Sequence, residues 1–194
     1  EMRTEIKKLH QNLNASKVHV THDQIEAITL ATKIVVMKDG IIQQIGAPAD
    51  IYSNPANLFV ADFMGSPAMN LIPARVEKNG EGSKFIINQH GSYDLVLTDR
   101  AAANLPQDVA LGIRPEDIGD AALQKRAGDQ VSSCKIDVVE PAGAETYVLM
   151  TLGGVEVTAR LQAETLASAG VYMDMSFNMD KASYFDADTG KRLN

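Results

Sequence analysis

Apolar residues near the start of the chain recur with two different periods. Four of them are spaced by four, three and four residues, which predicts one apolar stripe on a helix ending near residues 12–14. These residues are Met2, Ile6, Leu9 and Leu13. The run KVHVT, residues 17–21, then alternates between polar and apolar positions as a strand does. A second helix follows, and Ile25, Ile28 and Leu30 form its expected buried side.

Capping and turn residues mark the ends of the next elements. Thr21 or Asp23 caps the second helix, because Gln24 and Glu26 lie three residues after each of them. The runs KIVVM and IIQQIG flank the pair Asp39-Gly40, which predicts a hairpin, since these residues tolerate the positive φ angles of a tight turn. Pro48 is expected to open a short helix, and the run NLFVADFMG predicts another one that stops at Gly65.

The pattern changes after Gly65. Short β-rich runs separated by Gly, Asn, Asp and Pro fill the remaining chain, a spacing typical of a small barrel or sandwich. These runs are LIPARV, KFIINQ, YDLVLT, VALGI, CKIDVVE, TYVLMTL, VEVTARL and VYMDMSF. We therefore expect an α+β chain with two domains, residues 1–65 and residues 66–194.

Charge and hydropathy exclude several classes of function. The net charge is −7, and residues 66–194 hold 12 basic against 18 acidic side chains. Because an acidic surface repels phosphate backbones, we predict no binding of nucleic acid. The sequence has neither an apolar run of membrane-spanning length nor the pattern of a secretory signal at its start, so a cytoplasmic protein is expected.

His22 is the candidate site residue, because it follows the predicted strand directly and precedes a helix N-terminus. A strand end is fixed in position, a helix dipole favours anions, and an imidazole can donate a hydrogen bond, so His22 can reach a phosphate group. Taken alone, a histidine in such a place is more often a satisfied polar residue than a catalytic one.

The run VTHDQIEAITLATKIVVMKDGIIQQIGAPADIYSNPANLFVADFMGSPAMN resembles the end of the nucleotide-binding domain in importer-type ABC transporter ATPases. The similarity is greatest to the sugar-importer branch, typified by the maltose and glycerol-phosphate systems. It implies that His22 is the switch histidine, which contacts the γ-phosphate of ATP and helps to hold the attacking water. By the same resemblance, Asp23, Glu26 and Ala27 are capping and packing residues.

The rest of the chain extends the resemblance. The runs LGIRPEDI, VVEPAGAET and YFDADTGKRL are similar to stretches of the transport-associated domain that follows the ATPase in these importers, an OB-type barrel. Ala142 stands where a bulkier apolar residue is common. The family's phosphate loop, glutamine loop, LSGGQ-like motif and acidic strand end for magnesium do not occur in these 194 residues. The resemblance therefore implies the C-terminal piece of a longer ATPase, inactive by itself and with no cofactor bound.

The resemblance also implies the surroundings of the intact protein. It would be a homodimer that holds ATP and Mg²⁺, lies on the inner face of the cell membrane and drives two permease subunits. An extracellular solute-binding protein would deliver a sugar or a compound like glycerol phosphate. A regulatory protein is a possible partner of the barrel. Two other interpretations of the barrel stay open, a sensor of small molecules and a module that only binds proteins.

Other candidate residues have simpler explanations. Cys134 is the sole cysteine and is interpreted as a small core residue. Arg114 and Glu116 form either a ligand-binding pair or a salt bridge at the surface or barrel rim. The run DADTG, residues 186–190, lacks the further ligands of a calcium loop and predicts a hairpin turn. The remaining histidines lack companions at metal-ligand spacing, so no metal site is predicted. These histidines are His10, His19 and His90.

Overall fold

A computed structural model describes residues 2–13, 16–89, 91 and 93–194. Asn14, His90 and the side chains of His10 and Leu13, which entered the sequence analysis, lie outside the described residues. The chain forms two compact units, unit 1 (Glu1–Gly65) and unit 2 (Ser66–Asn194). The described part is mostly β-sheet with a few short helices, which confirms the predicted fold class.

The described part of unit 1 contains four helices and one hairpin. The helices are α1 (Met2–Leu13), α2 (Gln24–Leu30), α3 (Pro48–Ser53) and α4 (Leu58–Phe63), and the strands are β1 (Ile34–Lys38) and β2 (Ile41–Gly46). The hairpin turn is Asp39-Gly40, with φ angles of 51° and 77°, as the sequence predicts. Pro48 stands at the first position of α3, and Asn57 caps α4 by accepting a hydrogen bond from the Val60 N–H at 2.9 Å.

One face of the hairpin forms the core of unit 1. Ile34 and Val36 point inward and pack with residues of α3 and α4 and with Met64, while partly buried side chains of α2, α4 and the residue after α2 complete the cluster. The buried members are Ile34, Val36, Ile51, Val60 and Met64, and the partly buried ones are Ala27, Ala31 and Phe59. Because side chains alternate along a strand, the neighbouring residues of β1 and β2 are left on the outer face.

Two predictions for unit 1 are wrong. Residues 17–21 do not form a strand, and the side chains of Val18 and Val20 are each 91% exposed. A strand needs a neighbour for its backbone groups, and no other segment of the described residues pairs with this one. Ile25 and Ile28 of α2 are also exposed, at 50% and 37%, so their apolar side is not covered within this unit.

The described residues of unit 2 form eleven strands in three antiparallel sheets. The strands are β3 (Asn70–Asn79), β4 (Gly82–Ile87), β5 (Leu95–Asp99), β6 (Asp108–Ile113), β7 (Ile118–Asp120), β8 (Gln130–Lys135), β9 (Val138–Pro141), β10 (Glu145–Leu152), β11 (Val155–Gln162), β12 (Tyr172–Phe177) and β13 (Ser183–Asp186). The sheet orders are β13-β6-β3-β4-β5, β7-β12-β8 and β11-β10-β9.

A single hydrophobic core joins the three sheets of unit 2. Alternate residues of the strands point into it, as in β10, where Val148, Met150 and Leu152 are buried. Tyr184 stacks on Phe85 with ring centroids 4.7 Å apart and donates a hydrogen bond of 2.5 Å to Asp99. Burial and the Asp99 carboxylate raise the pKa of Tyr184 above its ordinary range.

The predicted β-rich runs of unit 2 all fall on strands, and two further strands were missed. β7 has three residues and β13 has four, which is too short for an alternating pattern to be recognised. The turn predicted at residues 186–190 is confirmed. Asp186 accepts hydrogen bonds from the N–H groups of Asp188 and Thr189 at 3.1 and 2.6 Å, and the Gly190 N–H donates to the Asp186 carbonyl.

Candidate functional site

His22 is an exposed residue two positions before the first residue of α2. It lies between Thr21, which is half-buried, and Asp23, which caps the helix in an extended conformation. The residues on both sides of His22 make hydrogen bonds that hold the backbone, while the side chain of His22 is exposed. The histidine is therefore presented to solvent from a segment whose backbone is held in place.

The N-terminus of α2 is already occupied by the carboxylate of Asp23. This carboxylate accepts hydrogen bonds from the N–H groups of Ile25 and Glu26 at 2.8 and 3.2 Å. Two of the helix's unpaired N–H groups are satisfied by this cap, and its negative charge opposes the attraction of the helix dipole for an anion. In this structure these two N–H groups are bonded to Asp23. The imidazole of His22 remains as the donor.

A network around the Thr21 hydroxyl holds the segment before the helix. The hydroxyl accepts a hydrogen bond from the Asp23 N–H at 3.0 Å and donates one to a carboxylate oxygen of Glu26 at 2.8 Å. His19 lies 3.4 Å from the same carboxylate oxygen. The hydrogen bond from Thr21, and then that from His19, lower the pKa of Glu26 below its ordinary value. The structure thus assigns the cap to Asp23 and a bridging role to Thr21.

Gln24 joins the start of α2 to the last residue of unit 1. Its side-chain nitrogen donates to the Gly65 carbonyl at 3.1 Å, and the Gly65 N–H donates to its side-chain oxygen at 2.6 Å. We call this two-point contact the Gln24 clamp. Gly65 has a φ of 119°, which side-chain-bearing residues rarely adopt. Sequence reasoning missed the clamp, because 41 residues separate its two partners and no local pattern connects them.

Metal ligands are not clustered near His22 or elsewhere in the described ranges. Within residues 2–13, 16–89, 91 and 93–194, no group of three or more His, Cys, Asp or Glu side chains could hold a metal ion. Separately, no helix of the described part is long and apolar enough to cross a membrane.

The candidates in unit 2 are less suggestive of a site. Arg114 is buried, with only 3% of its surface exposed, which argues against a pair lying on the open surface. Cys134 is fully buried, and burial raises the pKa of its thiol to about 12. A small polar pocket has a volume of about 10 Å³, far below the roughly 300 Å³ at which ligand pockets begin. Its lining residues are Glu116, Asp117, Gly119, Gln124, Arg126, Asp129 and Ser176.

Comparisons with known proteins identify the class of fold and then the relatives. Residues 65–118 match the family model described as the MalK OB fold domain. The chain is 43% identical to the ABC transporter ATP-binding protein YcjV of Escherichia coli O157:H7, over 97% of this chain and 51% of that protein. It is 39% identical to the oligosaccharides import ATP-binding protein MsmX of Bacillus subtilis, over 100% of this chain and 53% of the relative.

A third relative is the trehalose/maltose import ATP-binding protein MalK of Thermococcus litoralis, 37% identical over 99% of this chain and 52% of its own length. The chain thus spans about half the length of the curated relatives that it matches, and it corresponds to their C-terminal half. Among solved structures, the cytoplasmic molybdate-binding protein ModG has a TM-score of 0.40 and 13% identity, over 59% of this chain and 94% of ModG.

These matches confirm the resemblance found in the sequence. The chain is related to the C-terminal half of the ATP-binding proteins of ABC importers, including their OB-type domain.

Proposed function

We propose that this chain is the switch-histidine and regulatory part of an ATP-binding subunit that couples ATP hydrolysis to solute import. The proposal rests on the similarity of nearly the whole chain to ATP-binding proteins of importers, together with the exposed His22 at the start of α2. In this proposal the phosphate loop, the magnesium ligands and the general base belong to the half of the relatives that this chain does not span.

His22 would donate a hydrogen bond from its imidazole to the γ-phosphate and help to hold the attacking water. Three features of the segment support this role. The imidazole is exposed, the N–H groups of the helix that could compete for a phosphate are taken by Asp23, and the flanking backbone is fixed through Thr21 and Gln24. A donor held in this way stabilises charge in the transition state without having to reorganise.

The partners follow from the same proposal. The subunit would form a homodimer on the inner face of the cell membrane and drive two permease subunits supplied by an extracellular solute-binding protein. The relatives named for import of oligosaccharides and of trehalose and maltose favour a sugar as the solute. A further relative, from Cupriavidus pinatubonensis, is named for import of sn-glycerol-3-phosphate, which keeps that class of compound open. Unit 2 would stabilise the dimer or bind a regulatory protein.

The test uses the full-length subunit, expressed from the gene with any coding sequence that precedes Glu1. In that protein, His22→Ala should reduce kcat for ATP hydrolysis by orders of magnitude and leave the Kd for ATP nearly unchanged, because the contact strengthens in the transition state. His90→Ala, a histidine in the sequence of unit 2, is the control and should retain turnover. If the His22→Ala protein hydrolyses ATP at the normal rate, the proposed role is wrong.

A further inference from the structure

The Gln24 clamp bears on the placement of His22. Gln24 is two residues beyond His22 and is the first residue of α2, so its position determines where the preceding backbone lies. The hydrogen bonds of the side-chain amide with Gly65 fix that position from across the unit, at distances of 2.6 and 3.1 Å. The side chain is half-buried, which shields these bonds from exchange with water.

The partner of Gln24 occupies a conformation that suits this contact. With a φ of 119°, Gly65 presents both its N–H and its C=O to the same amide group. Ser66, the first residue of unit 2, is bonded covalently to Gly65. The amide of Gln24 therefore connects the segment that carries His22 to the last residue of unit 1.

We infer that Gln24 is a positioning residue for His22, which acts by anchoring the start of α2 to Gly65. This inference rests on the proposed function of His22. Without the amide, the Thr21–Glu26 network still orders the segment internally and Ala27 still packs on the core of unit 1, but the start of α2 loses its two hydrogen bonds to Gly65. An error of about 1 Å in the placement of a catalytic group can lower a rate by about 100-fold.

The first experiment measures ATP hydrolysis by the full-length subunit. We expect Gln24→Ala to lower kcat by roughly 10- to 100-fold with little change in KM for ATP. Gly65→Ala should do the same from the other side of the clamp. The matched control is Gln44→Ala, since the Gln44 amide also makes a two-point contact, donating to the Asn54 carbonyl at 2.9 Å and accepting from the Ala56 N–H at 2.8 Å. Gln44→Ala should keep kcat within about twofold of the parent protein. Gln44 shares no hydrogen-bond partner with Gln24 in these contacts, and sites without shared partners act independently of one another.

A double variant separates positioning from general stability. If Gln24 acts only through His22, Gln24→Ala should cause no further loss of kcat in a His22→Ala background, whereas independent defects would multiply.

Gln24→Glu is the variant that keeps the shape of the side chain. It keeps the acceptor for the Gly65 N–H but places a carboxylate oxygen against the Gly65 carbonyl, so kcat should be at least as low as in Gln24→Ala. A further measurement on residues 1–194 needs neither ATP nor hydrolysis. The NMR order parameter of the His22 backbone should fall in Gln24→Ala and stay unchanged in Gln44→Ala.

The outcomes distinguish the inference from the proposal beneath it. Normal hydrolysis by His22→Ala would overturn both. Loss of hydrolysis in His22→Ala, with Gln24→Ala and Gln44→Ala equally active, would overturn the positioning role alone. A reduced kcat in Gln24→Ala that is absent in Gln44→Ala and does not multiply with His22→Ala would support it.

Discussion

The side-chain amide of Asn70 pairs with the backbone of Thr158 as a neighbouring strand would. Its nitrogen donates to the Thr158 carbonyl and its oxygen accepts from the Thr158 N–H, both at 2.8 Å, although 88 residues separate the two. Thr158 lies in β11, an edge strand of its sheet, and Asn70 begins β3 in another sheet. One buried amide thus satisfies backbone groups at the edge of one sheet and links two sheets of unit 2.

Replacing Asn70 should destabilise unit 2. Asn70→Ala leaves a buried N–H and C=O of Thr158 without this partner, and each such loss costs about 1–3 kcal/mol. Asn70→Asp keeps the shape but places a carboxylate oxygen against the Thr158 carbonyl, so it should be at least as harmful. The measurement is the free energy of unfolding in urea. Asn88→Ala, which removes an exposed hydrogen bond to Asp94, is the control and should change it by less than about 0.5 kcal/mol.

Cys134 should be chemically inert in the folded protein. Its thiol is buried and has a pKa near 12, so the reactive thiolate is scarce at pH 8 and shielded from reagents. Since it is the only cysteine, one labelling experiment reports on it alone. We expect no reaction with a water-soluble disulfide reagent in native buffer and complete reaction in denaturant. Rapid labelling without denaturant would mean that the β8 region opens readily.

Local features of the fold were predictable from the sequence, and distant contacts were not. The Asp39-Gly40 hairpin and the Asp23 cap depend on residues next to each other, so their patterns are visible in a short window. The Gln24 clamp joins partners 41 residues apart, and its geometry depends on the whole of unit 1. A strand was predicted at residues 17–21 because alternation is a local property, while a strand also requires a neighbour that alternation does not reveal.

The sequence also predicts the candidate site only in part. The position of His22 before a helix follows from the capping pattern around Asp23, and the resemblance gave it a role. The bridging hydroxyl of Thr21 was interpreted only as an alternative cap, because a sequence does not tell which of two neighbouring acceptors a helix uses. The structure shows that both take part, Asp23 as the cap and Thr21 as its support.

The hydrogen bond from Thr21 should be measurable through the titration of Glu26. Since this bond and the contact with His19 lower the pKa of Glu26, the network is complete at neutral pH and is lost as the pH falls through that lowered value, below the ordinary pKa of about 4.3. In Thr21→Val, the pKa of Glu26 should rise towards its ordinary value. The measurement is an NMR titration of the Glu26 carboxyl carbon. An unchanged titration in Thr21→Val would mean that the hydroxyl does not donate to this carboxylate.

Nucleic acid should not bind to this chain. Unit 2 has an excess of six acidic over basic residues, from 18 against 12, and long-range repulsion of phosphates follows from that sign of charge. We expect no change in the fluorescence anisotropy of a labelled single-stranded oligonucleotide at physiological ionic strength. A salt-sensitive micromolar affinity would contradict this expectation.

The outer face of the β1–β2 hairpin should make residues 1–194 associate when they are produced by themselves. Val35 lies opposite Ile45 and Met37 opposite Ile42, and all four side chains are 47–55% exposed. A contiguous apolar surface of this kind is rare on monomeric proteins and promotes association. Light scattering should therefore give a mass above that of a monomer, which increases with protein concentration.

Introducing two lysines on this face tests whether it causes the association. The double variant Val35→Lys with Ile45→Lys should shift the mass to that of a monomer, because burying the added charges between copies is costly. Val131→Lys places a charge at a residue of unit 2 that is also partly exposed, and it should leave the association unchanged.

The backbone amides of Val18 and Val20, which lie outside any strand, should exchange rapidly with solvent in all variants. A monodisperse parent chain with protected amides at these two residues would instead mean that unit 1 covers its own apolar surfaces.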